Sequence, residues 1–368
     1  MWRLLFVEDD PKSVEPVIAY LERKSGGYRC EICDFNGMTG KMDEFRPDVI
    51  ILDLLEDGGS AERKPVGNEK LRDIWKQRFR PVVIYSAQTD ALEEGEWSGN
   101  PFVQAVQKGI GSETKVEEAI GLFMPHVEAL NESEAFINQS LIHSMRDVAP
   151  YVFEEFSDIS DRKDAFLRLT RRRLAALMDD SGKSGRLASW ECYIYPPAGD
   201  SIRLGDVLMK REGNKEDPNS FRVVLTPSCD LVCQTDRKAK VDHVLVAKCI
   251  PTQSGVRIMS QIAQMKQNEF LEKIDKMVLS QGFYQRLIPF PILKGQIPLM
   301  MADLKDLELL PFEGVADGAG SMFARVASID SPFRELISWA YMHTACRPGL
   351  PDRDFEKWMK EIKGAYDS

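Results

Sequence analysis

Short, wholly apolar runs alternate with amphipathic segments through the first 125 residues. "RLLFV" (3–7), "YRCEIC" (28–33), "DVIIL" (48–52), "PVVIY" (81–85) and "FVQAVQ" (102–107) read as strands. Between them, "KSVEPVIAYLERK" (12–24), "MTGKMDEF" (38–45) and "NEKLRDIWKQR" (68–78) place apolar residues at helical spacing, as in Val14, Val17, Ile18 and Leu21. "SETKVEEAIGLF" (112–123) is a further helix, with Ser112 as its expected cap and acids in its first turn. Strands apolar on both faces, separated by helices, predict an α/β domain. Its five-stranded parallel sheet is doubly wound, with helices on both sides.

The pattern then changes twice. Residues 126–180 hold helical period in "ALNESEAFINQSLIHSMRDVAPYVFEEF" and "DRKDAFLRLTRRRLAALMDD", with breaks expected near Pro150 and at "SDIS". This is a helical connector, and "DSGKSGR" (180–186) is the best linker. Residues 187–368 predict a C-terminal α+β domain. "WECYIY", "IRLGDVLMK", "FRVVLT" and "DHVLVAKCI" are strand-like, and 260–280 is helical. "YQRLIPFPIL" and "IPLMMADL" return to strand character, and two helical segments around "RPGLP" end the chain. "IRLGDVLM" followed by "FRVVLT" suggests a small SH3-like β-barrel, a fold that fixes no activity.

Composition narrows the function classes. A chain of 368 residues exceeds one compact core, which agrees with the division above. No apolar run approaches the ~18 residues of a membrane span, and the start is too short and too acidic for a signal peptide, so a cytoplasmic protein is expected. Residues 1–130 hold 24 acids against 16 bases, and the remainder 34 against 32. An acidic chain is a poor general binder of nucleic acid. The run Arg171–Arg173 reads as a solvated face beside the stripe Phe166, Leu169, Leu174 and Leu177. Seven irregularly spaced cysteines read as reduced thiols. Cys30 and Cys33 stand three apart on a strand, so they face opposite ways and do not suit one metal.

Chemistry gathers where an open parallel sheet puts it, at the carboxyl ends of the strands. The first strand ends in Glu8-Asp9-Asp10, the third in Asp53, the fourth in Ser86 and the fifth in Lys108. Crowded carboxylates repel unless a cation sits among them. Oxygen-only ligands with room for water suit Mg²⁺. A carboxylate beside that ion and a lysine can attack phosphorus. Mg²⁺, the Lys108 ammonium and the Ser86 hydroxyl then meet the charge on the transferred group.

"LLFVEDDP", "VIILDL", "VVIYSA" and "VQKG", in this order and at these separations, resemble the receiver domain of two-component response regulators. The resemblance covers residues 1–125. It implies that Glu8 and Asp9 hold Mg²⁺ and that Asp53 is the phospho-acceptor, with the backbone carbonyl of Leu55 completing the metal shell. It implies further that Ser86 binds a phosphoryl oxygen, that small Ala87 leaves room for it, and that Lys108 pairs with the phosphoryl group. Four features depart from the family. Gly109 follows the lysine in place of proline, Ala105 stands where an aromatic relay residue is usual, and "TDALEEGEWSGNP" (89–101) and the loop after Asp53 are unusual. The expected function is a response-regulator-like signalling protein, phosphorylated at Asp53 by a histidine-kinase-type or ATPase partner and controlling a C-terminal output. A homodimer is left open.

The output region carries weaker signals. "VVLTPSCDLVCQ" (223–234) leaves its apolar run at Thr226-Pro227 and presents Ser228, Cys229 and Asp230. Cys229, Asp230, Cys233 and His243, with Cys249, are candidates for a zinc or catalytic site, although their spacing fits no standard pattern. A cysteine paired with His243 or His343 is the catalytic version. The "CDL" turn with "RPGLP" resembles an uncharacterised bacterial family of no known activity. Two further readings remain open: a stress or phage-defence effector with an enzymatic or metal-binding C-terminal domain, and a phosphorylation-independent scaffold.

Overall fold

The computed structural model describes the chain outside residues 24–26, 57–63, 93–96, 98, 180–185, 234–237, 316–319, 347–353 and 367–368. The "DSGKSGR" linker, the "RPGLP" segment and much of the two unusual loops lie outside the described residues. The chain divides into two compact units, Met1–Lys183 and Ser184–Ser368.

In the first unit, strands β1 (Trp2–Val7), β2 (Tyr28–Cys33), β3 (Val49–Leu52), β4 (Val82–Ser86) and β5 (Val103–Gln107) form one sheet in the order β2-β1-β3-β4-β5. All four pairings are parallel. Alternation along each strand divides the core in two. Leu5, Val7, Ile50, Leu52, Val82 and Ile84 pack on one face, against helices α2 (Met38–Phe45) and α3 (Gly67–Gln77). Leu4, Phe6, Val49, Ile51, Val83 and Tyr85 pack on the other, against α1 (Pro11–Arg23) and the first turns of α4 (Ser112–Glu155). Cys33 joins the first cluster and Cys30 the second, so the two thiols sit on opposite faces. Burial pushes each thiol up to about 12, which keeps both protonated.

Two local expectations are corrected here. Ser112 is not the cap. Gly111 holds that position in the left-handed region at φ 76°, and Ser112 is the first helical residue. The break expected near Pro150 is also absent. α4 runs 44 residues through Pro125 and Pro150, and the chain turns only at residues 156–158 before α5 (Ile159–Asp179). The middle of α4 is pinned to the sheet by buried Arg80. Its guanidinium bonds Glu134 at 2.6 Å, Asn131 at 3.1 Å and the Pro47 carbonyl at 3.2 Å.

The second unit is built on a seven-stranded antiparallel sheet. Its strands are β6 (Tyr193–Ile194), β7 (Asp206–Lys210), β8 (Phe221–Val224), β9 (His243–Pro251), β10 (Leu287–Phe290), β11 (Met300–Pro311) and β12 (Phe323–Ile329), in the order β10-β11-β9-β8-β7-β12-β6. The segments that suggest a small barrel are the adjacent strands β7 and β8 within this sheet. The helical stretch expected at 260–280 is present but broken, and its last turn, Asp275–Leu279, is π-helical. α6 (Ser228–Leu231) is a single turn, and α7 starts earlier, at Thr252, and ends at Ile262. Gln264 then takes a left-handed conformation, and α8 follows at Gln267–Leu271. After β11, α9 (Phe312–Val315), α10 (Phe333–Ala345) and α11 (Phe355–Tyr366) complete the unit. No described helix of the chain is long and apolar enough to cross a membrane.

Candidate functional site

The parallel sheet delivers its polar residues to one edge because each strand ends its apolar run there. Glu8 follows β1, Asp53 follows β3, Ser86 closes β4, and Lys108 follows β5. β1 is flanked by β2 and β3, so the chain leaves it towards opposite faces and a crevice opens at this edge. The Asp53 amide still donates to the Val7 carbonyl at 3.1 Å, and the Lys108 amide to the Ser86 carbonyl at 2.9 Å. Sheet pairing therefore extends into the site and fixes both backbones.

Lys108 is the centre of the cluster. Its Nζ donates to Asp53 Oδ2 at 2.7 Å, to Glu8 Oε2, and to Ser13 Oγ at 3.3 Å. It also stands 5.6 Å from the centre of the Tyr85 ring. Asp53 is 5% exposed; its Oδ1 accepts from the amides of Leu54 at 2.6 Å and Leu55 at 3.3 Å. Burial pushes the Asp53 carboxyl up. The hydrogen bonds from Lys108 and Ser86 and the Lys108 charge outweigh it, so Asp53 is held below its usual range. Glu8 shares the same ammonium but fares worse, and burial pushes its carboxyl up to about 7. Opposed carboxylates raise the Lys108 ammonium against its own burial.

Two buried carboxylates thus compete for one ammonium. An oxygen-only set with more acid than cation suits a small hard dication, and Asp9, half-buried, is the next residue of the same loop. The chemistry of the donors fits Mg²⁺. Among the described residues, however, no group of three or more His, Cys, Asp or Glu is gathered around a single point. The Lys108 ammonium takes the place between Glu8 and Asp53.

The loop after Asp53 folds back tightly. Leu55–Glu56 pairs antiparallel with Lys64–Pro65, and the Gly67 amide donates to the Leu54 carbonyl at 3.0 Å. A Cβ at Gly67 would stand 2.5 Å from Leu54 Cα and 2.8 Å from the Asp53 carbonyl oxygen. Only glycine lets α3 begin this close to the acid. Ala87, just after β4, and Ala105, on β5, are exposed, so the usual relay position carries a methyl group on the surface. A different hydroxyl pair lies behind the site. The Tyr85 hydroxyl and Ser112 Oγ are 2.8 Å apart, and Ser112 Oγ donates to the Gly109 carbonyl at 2.7 Å. Sequence reasoning missed Ser13, Tyr85 and Arg80. The signal for Tyr85 was its place just before Ser86, on the face that looks towards α4.

The output candidates come out differently. Thr226 Oγ1 accepts from the Leu245 amide at 2.7 Å, and Ser228 Oγ from the Leu204 amide at 3.1 Å, so the odd turn after β8 is a tie between strands. Cys229, Cys233 and His243 are exposed, and Asp230 pairs with Lys240 at 3.4 Å. Cys249 is buried in the sheet core, and burial pushes its thiol up to about 12. His343 stands in an aromatic cluster with Phe283 and Trp339. Elsewhere in this unit, a cavity of about 530 Å³ is lined by Ile288, Phe290, Ile329, Leu336, Ile337 and Cys192.

No family model matches the chain, and no curated protein matches it. Solved structures similar to its N-terminal third include receiver domains of response regulators. One is the N-terminal domain of the nisin resistance regulator NsrR, 15% identical, covering 33% of this chain and 97% of that one at a TM-score of 0.27. Another is a complex of histidine kinase ThkA with response regulator TrrA, at 21% identity, 33% and 98% coverage and a TM-score of 0.27. A third is the N-terminal domain of a response regulator/sensory box/GGDEF protein from Carboxydothermus hydrogenoformans, at 24%, 34% and 98%, and 0.27. The first unit has the receiver fold. That statement rests on its own sheet order, parallel pairing and flanking helices.

Proposed function

We propose that Asp53 accepts a phosphoryl group and that the first unit works as the receiver of a signalling protein. The observation that supports this most is the Lys108 ammonium held directly on Asp53 Oδ2, while two backbone amides hold Oδ1. Those contacts keep Asp53 ionised, and Oδ2, beside Lys108, would be the attacking oxygen. In the transfer, that oxygen attacks phosphorus and a new P–O bond forms. The bond from phosphorus to the donor breaks, and the donor leaves with the electron pair and takes up a proton. Lys108 and the Ser86 hydroxyl meet the charge on the phosphoryl oxygens. Glu8, Asp9, Asp53 and the Leu55 carbonyl would hold Mg²⁺, which supplies further charge neutralisation. A histidine-kinase-type protein is the expected donor, and residues 187–368 are the expected output.

Intact-mass measurement after incubation with acetyl phosphate and Mg²⁺ tests this reading. The chain should gain one phosphoryl group, and Asp53→Ala should gain none. An unmodified wild type would favour the phosphorylation-independent scaffold, a reading for which the exposed Ala105 and the missing proline after Lys108 speak.

A further inference from the structure

We propose that the second unit binds a phosphate group, free or carried on a small organic molecule, in a cationic cavity beside the start of β10. The cavity holds about 330 Å³ and is lined by Ile262, Gln285, Arg286, Lys305, His343 and Thr344. Three elements supply its charge. Arg286 lies just before β10, Lys305 on β11, and His343 in the last turn of α10. Among the described lining residues none is acidic, in a chain whose net charge is −10.

An irregularity in the sheet places Lys305 here. β9 and β11 pair Ala247 with Leu307 and then Lys248 with Asp303, so Leu304, Lys305 and Asp306 bulge out of that ladder. On the other side of β11, Leu287 pairs with Asp303, and the Leu304 amide donates to the Arg286 carbonyl at 2.8 Å. Arg286 and Lys305 are thus held on neighbouring strands. Asp306 is occupied by Lys248 at 2.9 Å. α10 is tied to the same place, because Thr344 Oγ1 donates to the Gln285 carbonyl at 3.1 Å. Gln285 itself is held at φ 54°, a left-handed conformation that few non-glycine residues take and that recurs at ligand clamps.

These cations are only partly spent. Arg286 makes one ion pair, to Asp303 at 2.9 Å, and its buried Nε has no hydrogen-bond partner. A buried donor left in that state calls for a partner. Asp303 is buried, its other oxygen accepts from the Lys305 amide at 3.0 Å, and it does not line the cavity. The Lys305 ammonium and the His343 ring nitrogens make no ion pair or hydrogen bond among the described residues. Arg286 and Lys305 against Asp303 leave one positive charge in excess before His343 is counted. Donors arriving from three elements suit a tetrahedral oxyanion, whose oxygens point in several directions; a planar carboxylate offers two. His343 stands 5.9 Å from exposed Trp339, one turn back on α10, so an organic group on the phosphate would meet an aromatic surface.

Isothermal titration of the full chain with inorganic phosphate, phenyl phosphate and acetate, without divalent cations, tests the proposal. At least one of the two phosphates should bind saturably, and acetate should bind more weakly than either. Tighter binding of phenyl phosphate assigns an ester as the ligand, and equal binding assigns the free anion. Lys305→Gln, on an exposed bulge, should weaken phosphate binding about tenfold with unchanged far-UV circular dichroism. Arg286→Lys, which keeps a cation for Asp303 but loses the guanidinium fork, should weaken it by a similar factor. Lys163→Gln, an exposed cation of α5, should change nothing. Phosphate binding that both Lys305→Gln and Arg286→Lys leave intact, acetate bound as tightly as phosphate, or no saturable binding in the millimolar range overturns the proposal.

Discussion

Asp53 in the first unit and Asp206 in the second are buried carboxylates with the same kinds of partner, yet they hold their protons oppositely. Asp206 is fully buried. Ser328 Oγ donates to it at 2.6 Å and the Arg203 amide at 2.7 Å, while the Arg325 guanidinium stands 3.5 Å away. Burial raises its carboxyl above the usual range, because Arg325 is also committed to the Ser201 and Gly199 carbonyls. Asp53 has its cation in direct contact and ends below the usual range. A cation outweighs burial when it touches the acid and loses when its donors are spent elsewhere. Glu8 adds a third case: one ammonium serves one carboxylate well and leaves the second raised. Asp206 fastens the loop before β7 to β12. Asp53 stands at the carboxyl edge of the sheet and is held ionised.

The comparison breaks most sharply at the acids themselves. Asp53→Asn should lose all phosphoryl acceptance and Asp206→Asn none, read by intact mass after acetyl phosphate. Labelling of the first, or its loss in the second, would erase the distinction. Removing the cations comes next. Lys108→Met should slow phosphorylation by ~100-fold, as expected for a lost donor to developing charge, whereas Arg325→Met should leave the rate unchanged. Denaturant unfolding should show Asp206→Ala destabilising its unit by about 3 kcal/mol, since it strands Arg325 and Ser328. Gly67→Ala should cost about 1–3 kcal/mol and slow phosphorylation, because its Cβ would push on Leu54 and Asp53.

The smallest effect concerns pH. Asp206 titrates above its ordinary 3.8 when folded, so the wild type's stability relative to Asp206→Asn should fall as pH rises beyond that value. Asp53 titrates below 3.8, so its contribution relative to Asp53→Asn is present above that value and lost as pH falls through it. Unfolding midpoints across the acid range, without divalent cations, measure both slopes. Equal signs would refute the contrast.

The receiver sheet was legible because its strands are apolar on both faces and each ends on a polar residue. Asp53, Ser86 and Lys108 announce themselves by interrupting β-like runs. The Tyr85–Ser112 pair was hidden because it joins residues 27 apart whose sequence contexts are a strand and a helix start. Asp206 was hidden for a related reason: in "IRLGDVLMK" an acid after glycine looks like an ordinary turn. Only the return of β12, more than a hundred residues later, brings Ser328 and Arg325 to it. The length of α4 was misjudged because Pro150 reads locally as a breaker. The seam with α5, through Val148 and Val152, carries the helix across it.

The helix that begins four residues after Lys108 is also a lever. Its first residue is held by Tyr85 and Gly109, behind the Asp53–Lys108 cluster. Arg80 holds it to the sheet again at Asn131 and Glu134, and over the ~30 Å beyond that point a tilt of ~5° would sweep the far tip through ~3 Å. A displacement too small to notice beside Asp53 would be large where α4 turns into α5.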